Sequence, residues 1–537
     1  MTRPRSPTKQ RFVRLARISI SFTAAFLLVS WNSSIKVSAS AGDLDPAFGT
    51  GGKVSVDLAR NEIATAVAVQ SDGKIVAAGA YETKKKSYDF ALVRYNYDGN
   101  LDASFGSNGA TGLDFFGNYD FAHGVAIQPD GKIVVAGEVH DAVDGYFGVA
   151  RFNVDGSIDG TFGGDGTVTT KFFDMADPAF ALALQSDGKI VVGGFAFNSA
   201  GDTSYDFALA RYNADGSLDT SFGEGGKVVT DFAKNVDILY ALGVQQDGKI
   251  VAAGYAELFE DTLSRDFAVA RYNPDGSLDT SFGGDGRITT DIFGERDEAY
   301  ALALTSDGKV IVAGYGGEAV AAKDFAIVQY TSDGTLDDSF GSDGRVTTDF
   351  FGDMDSAFGV AIQANGKVLA AGFALTSSSM ESRDFALARY NPDGTLDSVF
   401  GSGGKVTTDF FGSQDLALAV AVMPNGRLIA AGYASGSSSA DLALACYYGD
   451  GLKPEITGAE VIGKKLYVHG KYFDFAAEVL VNGVKQKKTI NDGSNPTTLL
   501  IGKKTGKKIA RGETVTLQVR NPDGSLSNEF AYTRPAQ

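Results

Sequence analysis

A chain of 537 residues is too long for one ordinary hydrophobic core and calls for several domains or one large repetitive one. Its 67 glycines, 11% aromatic residues and short apolar runs, with no long helical pattern, read as an all-β protein rich in turns. The net charge of −18 conceals −31 on residues 42–451 and +6 on residues 452–537, which excludes nucleic acid and anionic lipid surfaces as partners of the acidic body.

The first 41 residues carry seven Lys/Arg and no acid. A basic stretch ending at Arg17 precedes the apolar run ISISFTAAFLLV (18–29) and then SASAG, with an A-x-A at Ala39 to Ala41. This is the pattern of an export signal peptide cleaved near Ala41, the alternative being a retained anchor. The run is shorter than the roughly 20 residues a spanning helix needs, so no transmembrane segment is expected in the mature chain. Exported proteins commonly carry disulfides, yet Cys446 is the only cysteine, so stability must come from the core. Trp31, the only tryptophan, would leave with the leader.

From residue 42 to 451 the chain repeats. A D/N-G-K/R turn starts at Asp72, Asp130, Asp187, Asp247, Asp307, Asn365 and Asn425, with spacings of 58, 57, 60, 60, 58 and 60. Each unit offers four short runs, a to d, exemplified by AYALALT (299–305), KVIVAGY (309–315), DFAIVQY (324–330) and GRVTTDF (344–350). Runs a, b and c are apolar on both faces, as in a sheet covered on both sides, and their small residues let sheets approach closely. Four-stranded sheets packed between others of their kind are propeller blades, so the repeat predicts a seven-bladed β-propeller. The series opens on a d run, GKVSVDL (52–58), and stops after a c run, DLALACYY (441–448). If d is the outer strand, the first d run completes the last blade and closes the ring without a covalent link.

Between the b-run glycine (Gly79, Gly137, Gly194, Gly254, Gly314, Gly372, Gly432) and run c lie 9, 8, 11, 11, 9, 11 and 8 residues. All length variation therefore falls in one loop type on one face, where repeat proteins place recognition.

The units LDTSFGEGGKVVTDF (218–232), AVAVQSDGKIVAAG (66–79) and DFALARYNADG (206–216) resemble the bacterial delta-60 repeat. That resemblance covers about residues 44–451 and implies exported or surface-attached proteins with propeller-like repeats and no general activity. Residues 452–537, with PEITGAEVIGKKLYVHGKYF (454–473) and VTLQVRNPDGSLSNEFAYT (515–533), resemble an IPT/TIG immunoglobulin-like domain. Their alternating runs suit a β-sandwich, and such domains serve as spacers or adhesion modules.

The phrase ARYNPDGSLDTSFG (270–283), with near-copies at 210–223 and 388–401, lacks the oxygen spacing of an EF-hand loop and suits a tight turn between runs c and d. A second recurrent feature is an acid ten residues before each D/N-G-K/R turn: Glu62, Asp120, Asp177, Asp237, Asp297, Asp355 and Asp415. At the start of run a, these seven suit a carboxylate ring at the channel mouth that attracts a hard cation such as Ca²⁺. The preferred reading is structural: each caps local amides or pairs with the recurrent Arg of run c (Arg94, Arg151, Arg211, Arg271, Arg389). No other cofactor is expected.

After the b-run glycine stands an aromatic in five units: Phe195, Tyr255, Tyr315, Phe373 and Tyr433. Aromatic rings beside acids suit a sugar or peptide, although aromatics at strand ends more often belong to a core. His123, His140 and His469 fall in no metal-binding spacing, no phosphate-cradling loop is present, and Cys446 reads as a buried inert thiol. The expectation is a monomeric, non-enzymatic exported scaffold that binds a glycan or protein ligand on its variable-loop face, secreted or at a bacterial cell surface. The alternatives are a polysaccharide hydrolase or lyase using acids at the channel mouth, and a structural surface component.

Overall fold

The computed structural model describes residues 40–536 except 59–60, 84–86, 174–176, 199–203, 259–263, 295, 320–321, 377–381, 437–438, 451–452, 475–476, 493–496 and 522–524. The leader and Trp31 lie outside the described residues, as do parts of six of the seven variable loops. Among the described residues the structure is all-β, with one short 3-10 turn at Thr505–Lys508 and no helix long and apolar enough to cross a membrane.

Each repeat folds into a four-stranded antiparallel sheet in the order a, b, c, d. In one such sheet Asp237–Val244 pairs with Ile250–Ala256, which pairs with Asp266–Tyr272, which pairs with Arg287–Thr290. Strands b and c are buried almost throughout, because neighbouring sheets cover both their faces. Each a strand packs against the a strand of the next sheet, and the last, Asp415–Val422, packs against the first, Glu62–Val69. The opening d run, Lys53–Val56, pairs with Ala440–Tyr447 in register from Lys53↔Ala445 to Val56↔Leu442. The edge of the last sheet is thereby covered by the first segment of the body. These repeated sheets are propeller-like.

Every a strand carries a β-bulge opposite the b-run glycine. In the fourth repeat the register shifts between Leu239 and Ala241, so Tyr240 has no partner on strand b. The same shift leaves out Thr65, His123, Phe180, Tyr300, Phe358 and Leu418. The glycine is needed because the bulge pushes a carbonyl into it: a Cβ on Gly254 would lie 1.8 Å from the Ile238 oxygen. All seven b-run glycines face such a carbonyl, at 1.8 to 2.0 Å. Gly254→Ala should therefore lower stability by about 1–3 kcal/mol or more, read as a fall in the urea midpoint. An unchanged midpoint would mean that the bulge is not obligatory.

The phrase 270–283 has a second role beside its turn. Asp275 Oδ1 accepts from the Ser277 amide at 3.0 Å and its hydroxyl at 2.7 Å, and Gly276 takes φ 89°. The Asp275 carbonyl then accepts a bond of 2.8 Å from the amide of Gly223, in the preceding sheet. The same bond joins Gly49 to Asp98, Gly106 to Asp155, Gly163 to Asp215, Gly283 to Asp333 and Gly341 to Asp393. At the closing junction Gly401 donates to Ala41 instead. The recurrent Arg completes the clamp. Arg211 binds Asp219 of its own sheet, stacks 4.5 Å over Phe222, and donates to the Pro274 carbonyl of the next.

After residue 452, two four-stranded sheets face each other across a core that includes Leu466, Val468, Val479, Leu517 and Val519. Their strands alternate buried and exposed positions, as in Lys465–Lys471.

Candidate functional site

The bulges decide which side chains turn toward one another on the inner strands. A bulge bends its strand and re-aims the extra residue. His123, Phe180, Tyr240, Tyr300 and Phe358 consequently form one continuous arc, with successive ring centroids 4.9, 5.1, 4.9 and 4.9 Å apart. All five are half-buried, so part of each ring meets solvent. The arc ends where the bulge residue is Leu418 and then Thr65, whose hydroxyl is spent on the Ala78 and Ala122 carbonyls.

The aromatic residues after the b-run glycines stand behind this arc. Tyr255, Tyr315 and Phe373 are buried and brace Tyr240, Tyr300 and Phe358. Phe195 and Tyr433 are half-buried, and Phe195 packs on Phe180. The more accessible rings are thus the bulge aromatics, which no recurrent residue type marks because their identity varies between units. Their place is nevertheless constant, three residues after the recurrent acid of run a.

Cations cap the bracing rings. Arg265 lies 4.5 Å over Tyr255, Lys323 lies 3.7 Å over Tyr315 and Arg383 lies 4.8 Å over Phe373. Glu298 ties the set together, accepting from Tyr300 Oη at 2.6 Å and from Arg265 at 2.6 Å. At the other end, Glu138 sits between His123 and His140, 3.7 and 3.6 Å away. Burial opposes ionisation of Glu138, but the closeness of both imidazoles brings it down to about 2. His140 is raised in return by the nearby Glu138 carboxylate. This end opens on a cleft of about 720 Å³ lined by Tyr119, Glu138 and His140.

The seven acids at the start of strand a are fully buried. They do not pair with the Arg of strand c, which lies at the far end of its strand on its own partner: Arg94 with Asp102, Arg151 with Asp159, Arg211 with Asp219, Arg271 with Asp279 and Arg389 with Asp397. Instead Oδ2 of Asp120, Asp177, Asp237, Asp297, Asp355 and Asp415 accepts a backbone amide five residues upstream, at 2.6–2.8 Å. In place of a ring, five of them join separate groups of three with an aspartate that starts strand c and another that follows strand d: Asp89–Asp114–Asp120, Asp206–Asp231–Asp237, Asp266–Asp291–Asp297, Asp324–Asp349–Asp355 and Asp384–Asp409–Asp415. The sequence shows these extra acids in its DFALA and TTDF runs, but only the sheet-to-sheet packing brings them to one place. Burial, with added repulsion from the companion acids, raises Asp120, Asp297 and Asp415 to about 6, Asp355 to about 7 and Asp237 to about 8. His469 stands apart in the tail, and Cys446 is buried with its thiol held protonated by burial.

Six segments, residues 70–105, 128–162, 185–222, 245–282, 305–340 and 363–400, match the family model described as "Domain of unknown function (DUF5122) beta-propeller". The chain carries a run of six DUF5122 repeats. Each DUF5122 match begins just before a D/N-G-K/R turn and ends at the Phe of the clamp, so it spans strands b and c with the variable loop between them and leaves out strands d and a. The seventh unit and the tail lie outside the DUF5122 matches. No curated protein matches the chain. Solved structures similar to it include a fungal alcohol oxidase of the AA5 family in complex with copper, at 12% identity and TM-score 0.40, covering 90% of this chain and 100% of that one. Sqt1 from Chaetomium thermophilum follows at 12% identity and TM-score 0.37, covering 89% and 98%. A PL25 ulvan lyase bound to its saccharide matches at 12% identity and TM-score 0.39, covering 72% and 97%.

Proposed function

We propose that this protein is an exported binding scaffold: a signal peptide (1–41), a seven-bladed β-propeller (42–451) and an IPT/TIG immunoglobulin-like sandwich (452–537). The propeller holds a glycan or protein ligand against the aromatic arc on its variable-loop side. The observation that carries this reading is the arc itself. Four consecutive half-buried rings, Phe180 to Phe358, at stacking distance, give a curved apolar surface beside the partly exposed Arg265. A sugar face or an extended peptide matches that combination.

The hydrolase or lyase alternative needs two carboxyl groups that substrate can reach. The seven recurrent acids are fully buried, which supports a non-enzymatic role. The test is a glycan and peptide binding screen of the full chain with Tyr240→Ala and Tyr300→Ala beside it. Each variant should weaken the captured ligand at least about tenfold, the worth of one stacking ring. Asn273→Ala, in the turn between runs c and d, should leave binding unchanged. Ligand capture that ignores both tyrosines would sink the assignment, and so would turnover of a polysaccharide.

A further inference from the structure

The turn that joins strand c to strand d in the last sheet is assembled from two distant parts of the chain, and its first-in-sequence half is Ser40 to Asp43. In the internal turns one stretch does all the work. Asn273 donates to the Ser277 carbonyl at 2.8 Å, Gly276 donates to the Asn273 carbonyl at 2.9 Å, and the Asp275 carbonyl receives the Gly223 amide at 2.8 Å. At the closing junction Tyr448 stands in for Asn273: its amide donates to the Asp43 carbonyl at 2.9 Å and its carbonyl receives the Gly42 amide at 2.7 Å. The Ala41 carbonyl receives the Gly401 amide at 2.9 Å, as Asp275 receives Gly223. Gly42 takes φ 92° where Gly276 takes 89°, and a Cβ on either would meet the amide nitrogen of the preceding sheet, at 2.6 and 2.9 Å. Ala41 and Gly42 are therefore working members of the clamp that recurs around the frame.

Two bonds near this point follow small residues in the pattern of a leader cleavage site. One comes after Ala39-Ser40-Ala41 and the other after Val37-Ser38-Ala39. A cut after Ala41 would remove the carbonyl that holds Gly401 and a side chain that packs against the cluster of Phe400 and Tyr447. It would also turn the Gly42 amide into an ammonium at a buried residue, where a charge is costly. A cut after Ala39 keeps the whole turn. The new ammonium is then on Ser40, which is exposed and whose nitrogen lies 2.8 Å from Oδ2 of Asp43. Cleavage there makes that hydrogen bond charge-assisted.

We propose that the chain is processed between Ala39 and Ser40, and that Ser40 and Ala41, the first residues of the mature protein, complete the turn that closes the last sheet. The inference rests on the reading of the preceding residues as an export leader, and it moves the end of that leader two residues upstream. The reaction is hydrolysis of one amide by a signal peptidase of the exporting cell. Water adds across the Ala39–Ser40 bond, leaving a carboxylate on Ala39 and an ammonium on Ser40. The aromatic arc takes no part, so the site stands whether or not the arc binds a ligand.

The test is expression of the full chain in an exporting bacterial host, followed by N-terminal sequencing and intact mass of the exported protein. The expected first residues are Ser-Ala-Gly-Asp. A chain that starts at Gly42 overturns the proposal and leaves the export reading standing, whereas a chain that keeps the first 39 residues overturns both. A second measurement addresses the turn itself. Proteins beginning at Ser40 and at Gly42, released from a cleavable fusion, are compared by urea titration. The form that begins at Gly42 should unfold at a lower midpoint, because it lacks the Ala41 carbonyl and buries its terminal charge. Equal midpoints would show that Ser40 and Ala41 are dispensable and would overturn the proposal as well.

Discussion

Replacing Arg427 with alanine should cost about 3–5 kcal/mol, the range for removing one partner from a buried ion network. Arg427 sits at the seventh D/N-G-K/R turn, where the other six units have lysine. Its guanidinium holds Asp45 at 2.6 Å and Asp474 at 2.8 Å, and all three side chains are at least nine-tenths buried. Asn425 adds a bond of 3.1 Å to the same Asp474. One side chain thus joins the last sheet, the segment that leads into the first d strand, and the tail domain. Elsewhere the equivalent acid has two basic or amide partners, as Asp219 has Arg211 and Lys189. Here the strand-c position holds Cys446, so Arg427 is the one cation on Asp45, beside the Ala47 amide and the Tyr448 hydroxyl. Alanine leaves two buried carboxylates without their cation. In a denaturant titration Arg427→Ala should lose clearly more stability than Arg211→Ala, where Lys189 stays on Asp219. Under limited proteolysis it should release residues beyond 452 first. Equal losses in the two variants would mean that the closing junction has no special weight. Arg427→Lys should fall between, because an ammonium can serve Asp45 as Lys189 serves Asp219 but cannot fork to Asp474 as well.

The frame of this protein is legible because its repeat is set by local chemistry. The D-G turns, the doubly apolar runs and the phase of the series were enough to foresee sheets of four and the pairing of Lys53–Val56 with Ala440–Tyr447. Of the two structural roles expected for the recurrent acids, capping of local amides holds, as at Asp237, while pairing with the recurrent arginines does not. Only strand direction shows that Asp219 shares the end of Arg211 while Asp237 lies at the other. The aromatic residues after the b-run glycines were the visible repeat, yet the bulge hands the exposed position to Tyr240 and its equivalents and leaves Tyr255 behind them. A bulge is invisible to a period-two reading, since it interrupts the alternation by one residue. The glycine facing it was the only local clue. The acid triads needed two sheets at once, which no pattern within a single unit conveys.

The protein should be most stable near pH 4 to 5 and lose stability toward pH 8, the reverse of the usual neutral optimum. Two sets of carboxylates act in opposite directions. Asp102, Asp159, Asp219, Asp279 and Asp337 are buried, but the Ser or Thr hydroxyls and the Lys beside them hold all five well below the usual carboxylate range. Their contribution is complete above the unfolded value near 4 and is lost as pH falls below it. The strand-a aspartates are raised, from about 6 at Asp120, Asp297 and Asp415 to about 7 at Asp355 and about 8 at Asp237. Between pH 4 and pH 8 the folded chain therefore binds more protons at these positions than the unfolded chain, and stability falls as pH rises. Each unit of displacement is worth about 1.4 kcal/mol, so even partial realisation over five sites amounts to several kcal/mol. General self-repulsion of a −18 chain has the same sign, and the two are separated by substitution. Asp237→Asn should flatten the decline, whereas Asp187→Asn, whose carboxylate is exposed, removes the same unit of charge and should leave the slope as it was. A melting temperature that climbs steadily from pH 4.5 to pH 8 would show that the triads are not the buried, mutually repelling groups their geometry describes.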